Sequence, residues 1–470
     1  MAERTMARDL TQGSVLKLLV RFSAPIAAAN ILQIVYTLVD MLVIGRFVGT
    51  AGISAVSSAG DVMMLFTNFS MGVSSAGQII IAQYQGKADR ESVRKTIGTL
   101  FSFVAILSLT LTAISLPLTE KLLGLLNTPE EAWTMAVGYA RVCFAGLFFI
   151  FSYSSVSAIL RGMGDSKHPL MFITISTVTN MILDVLFCGP LHMGAKGAAL
   201  ATVIGQGISF IFSICFLYRH KIEFGFDFKR ESFHISGRIL KMIIRLGIPM
   251  ALQHLAVSIS VMYVAASINV YGVVISAMAG IGNKLRSVTA IFTASVGVAG
   301  ASMTGQNIGA GRYDRVRKIY WISLVTLLVS CGILGSIGAV FPRMVVGMFD
   351  SNPAILDMAP EFMVINLVVC LSFAVYQPFI ILINGIGYAS FAFITGIIDG
   401  LVARIGLVWL FNKVLKLGYW GIWWGAALAA YVVATIGFIY FVSGRWKTRK
   451  MITDTGRKAV PGEEQKKGNC

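Results

Sequence analysis

FSAPIAAANILQIVYTLVD, residues 22–40, and RLGIPMALQHLAVSISVMY, residues 245–263, read as one helix written twice, with Pro25 answering Pro249. Each is a continuous apolar run of the length, about 20 residues, that crosses a bilayer. In hydrocarbon the backbone must satisfy its own N–H and C=O groups, which leaves helices or closed barrels. The runs do not alternate apolar with polar residues, so they are helices. The echo continues at a spacing of about 223 residues. AQYQGKADRESVRK from Ala82 lies over GQNIGAGRYDRVRK from Gly305, so Gln83, Gly86 and Val93–Arg94–Lys95 fall on Gln306, Gly309 and Val316–Arg317–Lys318. AILRGMGD (Ala158–Asp165) falls on ILINGIGY (Ile381–Tyr388), and GAALAT at Gly197 on GAALAA at Gly425. Four matches in one order define an internal repeat. Both copies hold six spans and so share one orientation, related by a pseudo-two-fold axis along the membrane normal with a cavity between them.

The pattern predicts twelve spans, at 16–42, 52–83, 94–118, 132–160, 168–189, 196–218, 240–269, 273–308, 318–341, 360–384, 391–412 and 420–443. The chain divides into a cytoplasmic N-terminal segment (1–15), an N-lobe (16–218), a cytoplasmic linker (219–239), a C-lobe (240–443) and a cytoplasmic tail (444–470). Of 470 residues, 56% are hydrophobic and 13% charged. A soluble domain needs roughly a quarter charged. The net charge of +17 is unevenly placed: Arg4, Arg8, Lys87, Arg90, Arg94, Lys95, Arg312, Arg315, Arg317 and Lys318 fall on one side. Positive residues mark the cytoplasmic face, which puts both termini there and makes the charge a topology signal rather than a nucleic-acid surface. The segment from Trp446 to Cys470 is polar and reads as disordered. Six scattered cysteines form no pair or cluster and read as small buried hydrophobes. Met1–Val20 has no cleavable signal pattern.

A carboxylate at the bilayer centre costs at least about 2.5–3.5 kcal/mol, so each one needs a reason. Asp40, Asp61, Asp184 and Asp399 fall at membrane depth. Asn180 stands one turn before Asp184 on the same helix face. A carboxyl withdrawn from water, with a second beside it, holds a proton more tightly, so such a pair can load and release one. The second half lacks the counterpart: Val264 and Val408 fall over Asp40 and Asp184, and Arg404 over Asn180. Ion coupling is therefore expected in the first half alone. Asp399 and Arg404 are five apart, poorly aligned for one α-helix, and read as a salt bridge or a cavity lining. Lys284 and Arg286 read as paired or snorkelled cations. Met63, Met64, Phe66 and Phe69 read either as an adaptable lining or as packing. The five histidines have no ligand spacing, so neither a metal site nor an enzyme is indicated, and no GxxxxGK[ST] loop is present, which makes transport secondary.

The proline-bearing first helices, the Gln-x-x-Gly…Val-Arg-Lys loops, LRGMGD and GAALAT resemble the MATE family of multidrug and toxic compound extrusion transporters over residues 15–443. The resemblance implies a V-shaped all-α bundle in the cell membrane that exports cationic or amphiphilic compounds against a proton or sodium gradient by alternating access. It needs no cofactor beyond the coupling ion and no partner beyond substrate and bilayer, and it is expected to act as a monomer. The DinF-like branch carries an aspartate at the position of Asp40 and Asn-x-x-x-Asp at Asn180/Asp184, with a polar residue at Thr202. These four residues form the implied coupling site, with Gln33, Tyr36, Asp61, Met64 and Asn68 as substrate-cavity candidates. Acidic residues that the NorM-like branch carries in spans seven and ten are missing from Pro249–Val270, and Glu361 lies at the outer end of span ten, which favours protons over sodium. A lipid-linked precursor flippase of the same architecture is the alternative, through Lys284, Arg286 and Arg404.

Overall fold

Without water to bond, each apolar run closes its hydrogen bonds along its own axis, and the computed structural model is helical throughout. It describes residues 8–125 and 128–454. The first half comprises α1 (Val15–Phe47), α2 (Thr50–Gly86), α3 (Arg90–Leu125), α4 (Glu130–Ala145), α5 (Leu147–Gly162), α6 (Lys167–Cys188) and α7 (Gly194–Arg219). The second comprises α8 (Gly237–Asn269), α9 (Val273–Gly309), α10 (Tyr313–Val340), α11 (Pro353–Ile386), α12 (Ala389–Val414) and α13 (Gly418–Val442). Eleven of these helices are long and apolar enough to span singly, and α4 with α5 forms one further span bent by 51°. The bend falls at Gly146, where a Cβ would lie 2.3 Å from Cγ2 of Val203. The straight helix expected over 132–160 is therefore broken where α7 leans on it.

Both ends of the described chain meet one face of the bundle, as an even number of spans requires. Gln83 and Gln306, equivalent in the repeat, each reach across the halves: Gln83 Nε2 donates to Gly385 O (2.9 Å) and Gln306 Nε2 to Gly162 O (3.2 Å). Their other ends serve the termini with the same symmetry. Gln306 Oε1 accepts from Leu10 N (2.9 Å), and Gln83 Oε1 from Thr453 Oγ1 (3.2 Å). Two straps thus tie the halves together on this face.

Burial along α2 and α9 gives the shape. Gly72–Tyr84 and Ser295–Ile308 are buried with one partial exception each, Ser75 and Val298. Toward the opposite face the same helices carry exposed residues such as Met64, Leu65, Val288 and Phe292. The halves are closed where the termini sit and part toward the other side, in a V.

The C-terminal strap corrects the expected disorder after Trp446, for which residues 455–470 lie outside the described part. Trp446 is 1% exposed, stacks on Phe441 and donates its indole N–H to Phe441 O (3.0 Å). Arg238 donates to Thr453 O (3.2 Å), and Lys87 pairs with Asp454 at 2.5 Å. Local polarity concealed one tryptophan and one isoleucine, Ile452, with apolar seats to fill. Truncation after Ser443 is therefore expected to lower the thermal midpoint in detergent, where loss of a disordered tail would leave it unchanged. Among the cysteines, Cys143, Cys188, Cys331 and Cys370 are buried but Cys215 on α7 is exposed, against expectation; Cys470 lies outside the described residues.

Candidate functional site

Helix periodicity builds the site from paired rungs. Tyr36 and Asp40 are one turn apart on α1, as are Asn180 and Asp184 on α6, so packing α1 on α6 sets two polar rungs face to face. Hairpin partner α7 adds Thr202. Tyr36 Oη and Thr202 Oγ1 share a hydrogen bond of 2.9 Å, and Asn180 Nδ2 donates to Thr202 Oγ1 at 3.3 Å. Asp40 is 6% exposed and Asp184 0%. The two carboxyls lie close enough to act on one another electrostatically. No Lys, Arg or His pairs with either, among the described residues. Asp40 Oδ1, both oxygens of Asp184 and Asn180 Oδ1 are buried without a hydrogen-bond partner. Buried polar atoms are nearly always satisfied, and those left bare cost about 1–3 kcal/mol each. A crevice of about 10 Å³, room for roughly one water, runs between Gln33, Tyr36, Thr177, Asn180, Thr202 and Gln206.

All four residues of the implied coupling site thus come together, with Gln33 and Tyr36 at the crevice. Asp61, Met64 and Asn68 do not join them. They share one face of α2, where Asp61 and Met64 are exposed and Asn68 is half-buried. Sequence reasoning passed over Tyr139 and Cys143 of α4, one turn apart, which come up beside Tyr36 and Asp40. A tyrosine and a cysteine in an apolar run carry no local signal; only the packing of α4 on α7 places them.

The second half holds a different constellation at the matching depth. Arg404 Nη2 donates to Asp399 Oδ2 at 3.0 Å, an ion pair 11% and 4% exposed at its side chains. The five-residue spacing fits because Ile398–Arg404 is π-helical, which widens the turn and brings i and i+5 into line. Arg404 also lines a cavity, while Asp399 stays behind it, so the salt-bridge reading holds for both residues and the cavity-lining reading for Arg404. Arg286 enters the same cavity and hydrogen-bonds Asn283; it has no ion-pair partner among the described residues, so the ion pair expected as one alternative is not made.

Two six-span halves closed on one face, with unpartnered carboxyls at membrane depth, define a multi-pass membrane transporter. A model of the MatE family matches residues 25–186 and again 249–410, and the chain belongs to that family. Both matches begin at the paired prolines. Among the relatives, the probable multidrug resistance protein YpnP of Bacillus subtilis (strain 168) is 31% identical over 454 residues, 95% of this chain and 99% of that one. An FAD transporter from Shewanella oneidensis is 24% identical over 332 residues, 68% of this chain and 72% of that one. A solved outward-facing conformation of a multidrug resistance MATE family transporter of the MOP superfamily superposes with TM-score 0.87 at 23% identity, covering 95% of this chain and 100% of that one; at this identity the likeness concerns the fold.

Proposed function

We propose that the protein exports cationic or amphiphilic compounds in exchange for protons, with Asp40 and Asp184 as the coupling pair. The observation that carries this reading is a pair of buried, interacting carboxyls that no Lys, Arg or His pairs with among the described residues. Two such groups cannot both stay charged out of reach of water, and a proton shared between them is the simplest neutraliser. Tyr36, Thr202 and Asn180 position the pair through their own hydrogen bonds. In the state with the termini-bearing face closed, a proton entering from the open side neutralises the site and weakens its hold on a cation. The neutral half then returns and discharges the proton inside. The choice of substrate class follows relatives named as multidrug resistance and multidrug export proteins. On α2, the face bearing Asp61, Met64 and Asn68 serves as cleft wall in this scheme, since a carboxylate facing lipid there would be costly.

The test uses purified protein in sodium-free proteoliposomes with an imposed pH gradient and ethidium as probe. Uptake driven by the gradient is expected. Movement only when sodium is added would reassign the ion, and no movement under either gradient would overturn the cation reading.

A further inference from the structure

We propose that the cavity of the second half is a binding site for an oxyanion, a carboxylate or phosphate, carried on an apolar body. The cavity measures about 240 Å³ and lies between α8, α9, α11, α12 and α13, with Val264, Phe362 and Phe373 among its apolar walls. Two guanidinium groups from different helices, Arg286 on α9 and Arg404 on α12, line it and lie close enough to repel each other. One carboxylate, Asp399, offsets Arg404 alone. Arg286 spends one N–H on the neutral Asn283 and leaves a full positive charge facing the cavity.

Unused donors point the same way. Arg404 Nε and Trp423 Nε1 are buried with no hydrogen-bond partner, and both residues line this cavity. Water could satisfy the N–H groups but would leave the charge uncompensated. An oxyanion does both, because its oxygens accept from planar guanidinium forks in two-pronged fashion. The repeat sharpens the assignment. Val264 and Val408 occupy the positions of Asp40 and Asp184, and Arg404 that of Asn180, so the place that holds two carboxyls in one half holds no carboxyl and one guanidinium in the other. Opposite polarity at equivalent depth suits the halves to opposite charges.

The site is tested by binding, without any gradient, so failure of proton coupling leaves the result interpretable and the reverse also holds. Full-length protein in phosphatidylcholine nanodiscs is titrated calorimetrically with 1-naphthyl phosphate and with 1-naphthylmethylammonium, which shares the body and inverts the charge. The phosphate is expected to bind, to weaken about ten-fold or more in Arg286→Gln, and to recover in part in Arg286→Lys. The ammonium is expected to be indifferent to both substitutions. Melting curves of the variants verify folding; Arg286→Gln leaves the Asp399–Arg404 pair untouched, so loss of fold is not anticipated. Equal phosphate affinity in wild type and Arg286→Gln, or no phosphate binding by folded wild type, would overturn the proposal. Repeating the titration in phosphatidylglycerol nanodiscs identifies the natural source. Weaker binding there marks a lipid headgroup as the occupant, and unchanged binding marks a free solute; either keeps the site.

Discussion

Gradient-driven ethidium transport is expected to fall to the level of protein-free liposomes when Asp184 is replaced by asparagine, and Asp40→Asn is expected to do the same. The amide matches the carboxyl in shape but cannot take up or release a proton. Each member is needed, because the unusual feature is the pair: Asp184 is completely buried, and its two oxygens have no hydrogen-bond donor to hold them. The stability readout separates this role from a packing role. A buried polar group left bare is destabilising by about 1–3 kcal/mol, and an amide brings its own donors to the orphaned oxygens around it. Asp184→Asn is therefore expected to leave the thermal midpoint unchanged or raise it while transport disappears. A variant that melts early would place Asp184 among structural residues, and one that transports at the full rate would remove it from the mechanism.

How much of this was legible in the sequence depends on the range over which each feature is decided. Span number and repeat were readable because apolar length and a fixed offset are properties of the chain itself. Asp40 and Asp184 were readable because a carboxyl in an apolar run is costly wherever it ends up, and Asn180 because it stands one helical turn from Asp184. The bend at Gly146 was not, since it depends on Val203, a residue of another helix. Nor was the alignment of Asp399 with Arg404, because the π-helical turn that permits it leaves no mark in residue type. Tyr139 enters the site only through the packing of its helix. The C-terminal strap misled for a different reason: its polarity is real, and its order comes from Trp446 and Ile452 finding seats, and Thr453 and Asp454 finding polar partners, on helices that are distant in sequence. Asp61 remains a residue whose sequence signal is clear and which has no ion-pair partner among the described residues.

Transport is also expected to fail when Gly86 is replaced by valine, with the fold of each half intact. Gly86 and Gly309 occupy equivalent places in the repeat, and each packs against the helix backbone of the other half. A Cβ on Gly86 would stand 2.0 Å from the backbone oxygen of Gln306, and one on Gly309 would stand 2.1 Å from that of Gln83. A flexible side chain could swing clear of such an overlap, whereas a helix backbone cannot, and packed interiors absorb very little added volume. The only relief is to part the halves on the termini-bearing face. That separation also breaks the bonds from Gln83 to Gly385 and from Gln306 to Gly162, and with them the footing of both straps. Gly86→Val should therefore hold this face open and stop the cycle. The measurement is the distance between spin labels at Arg94→Cys and Arg317→Cys, in a background where the exposed Cys215 is changed to serine. The label distance is expected to lengthen in Gly86→Val, and Gly309→Val should reproduce it by symmetry. An unchanged distance with transport at the wild-type rate would mean that closure of this face does not depend on the glycine contact, and that the halves meet there only incidentally in the state described.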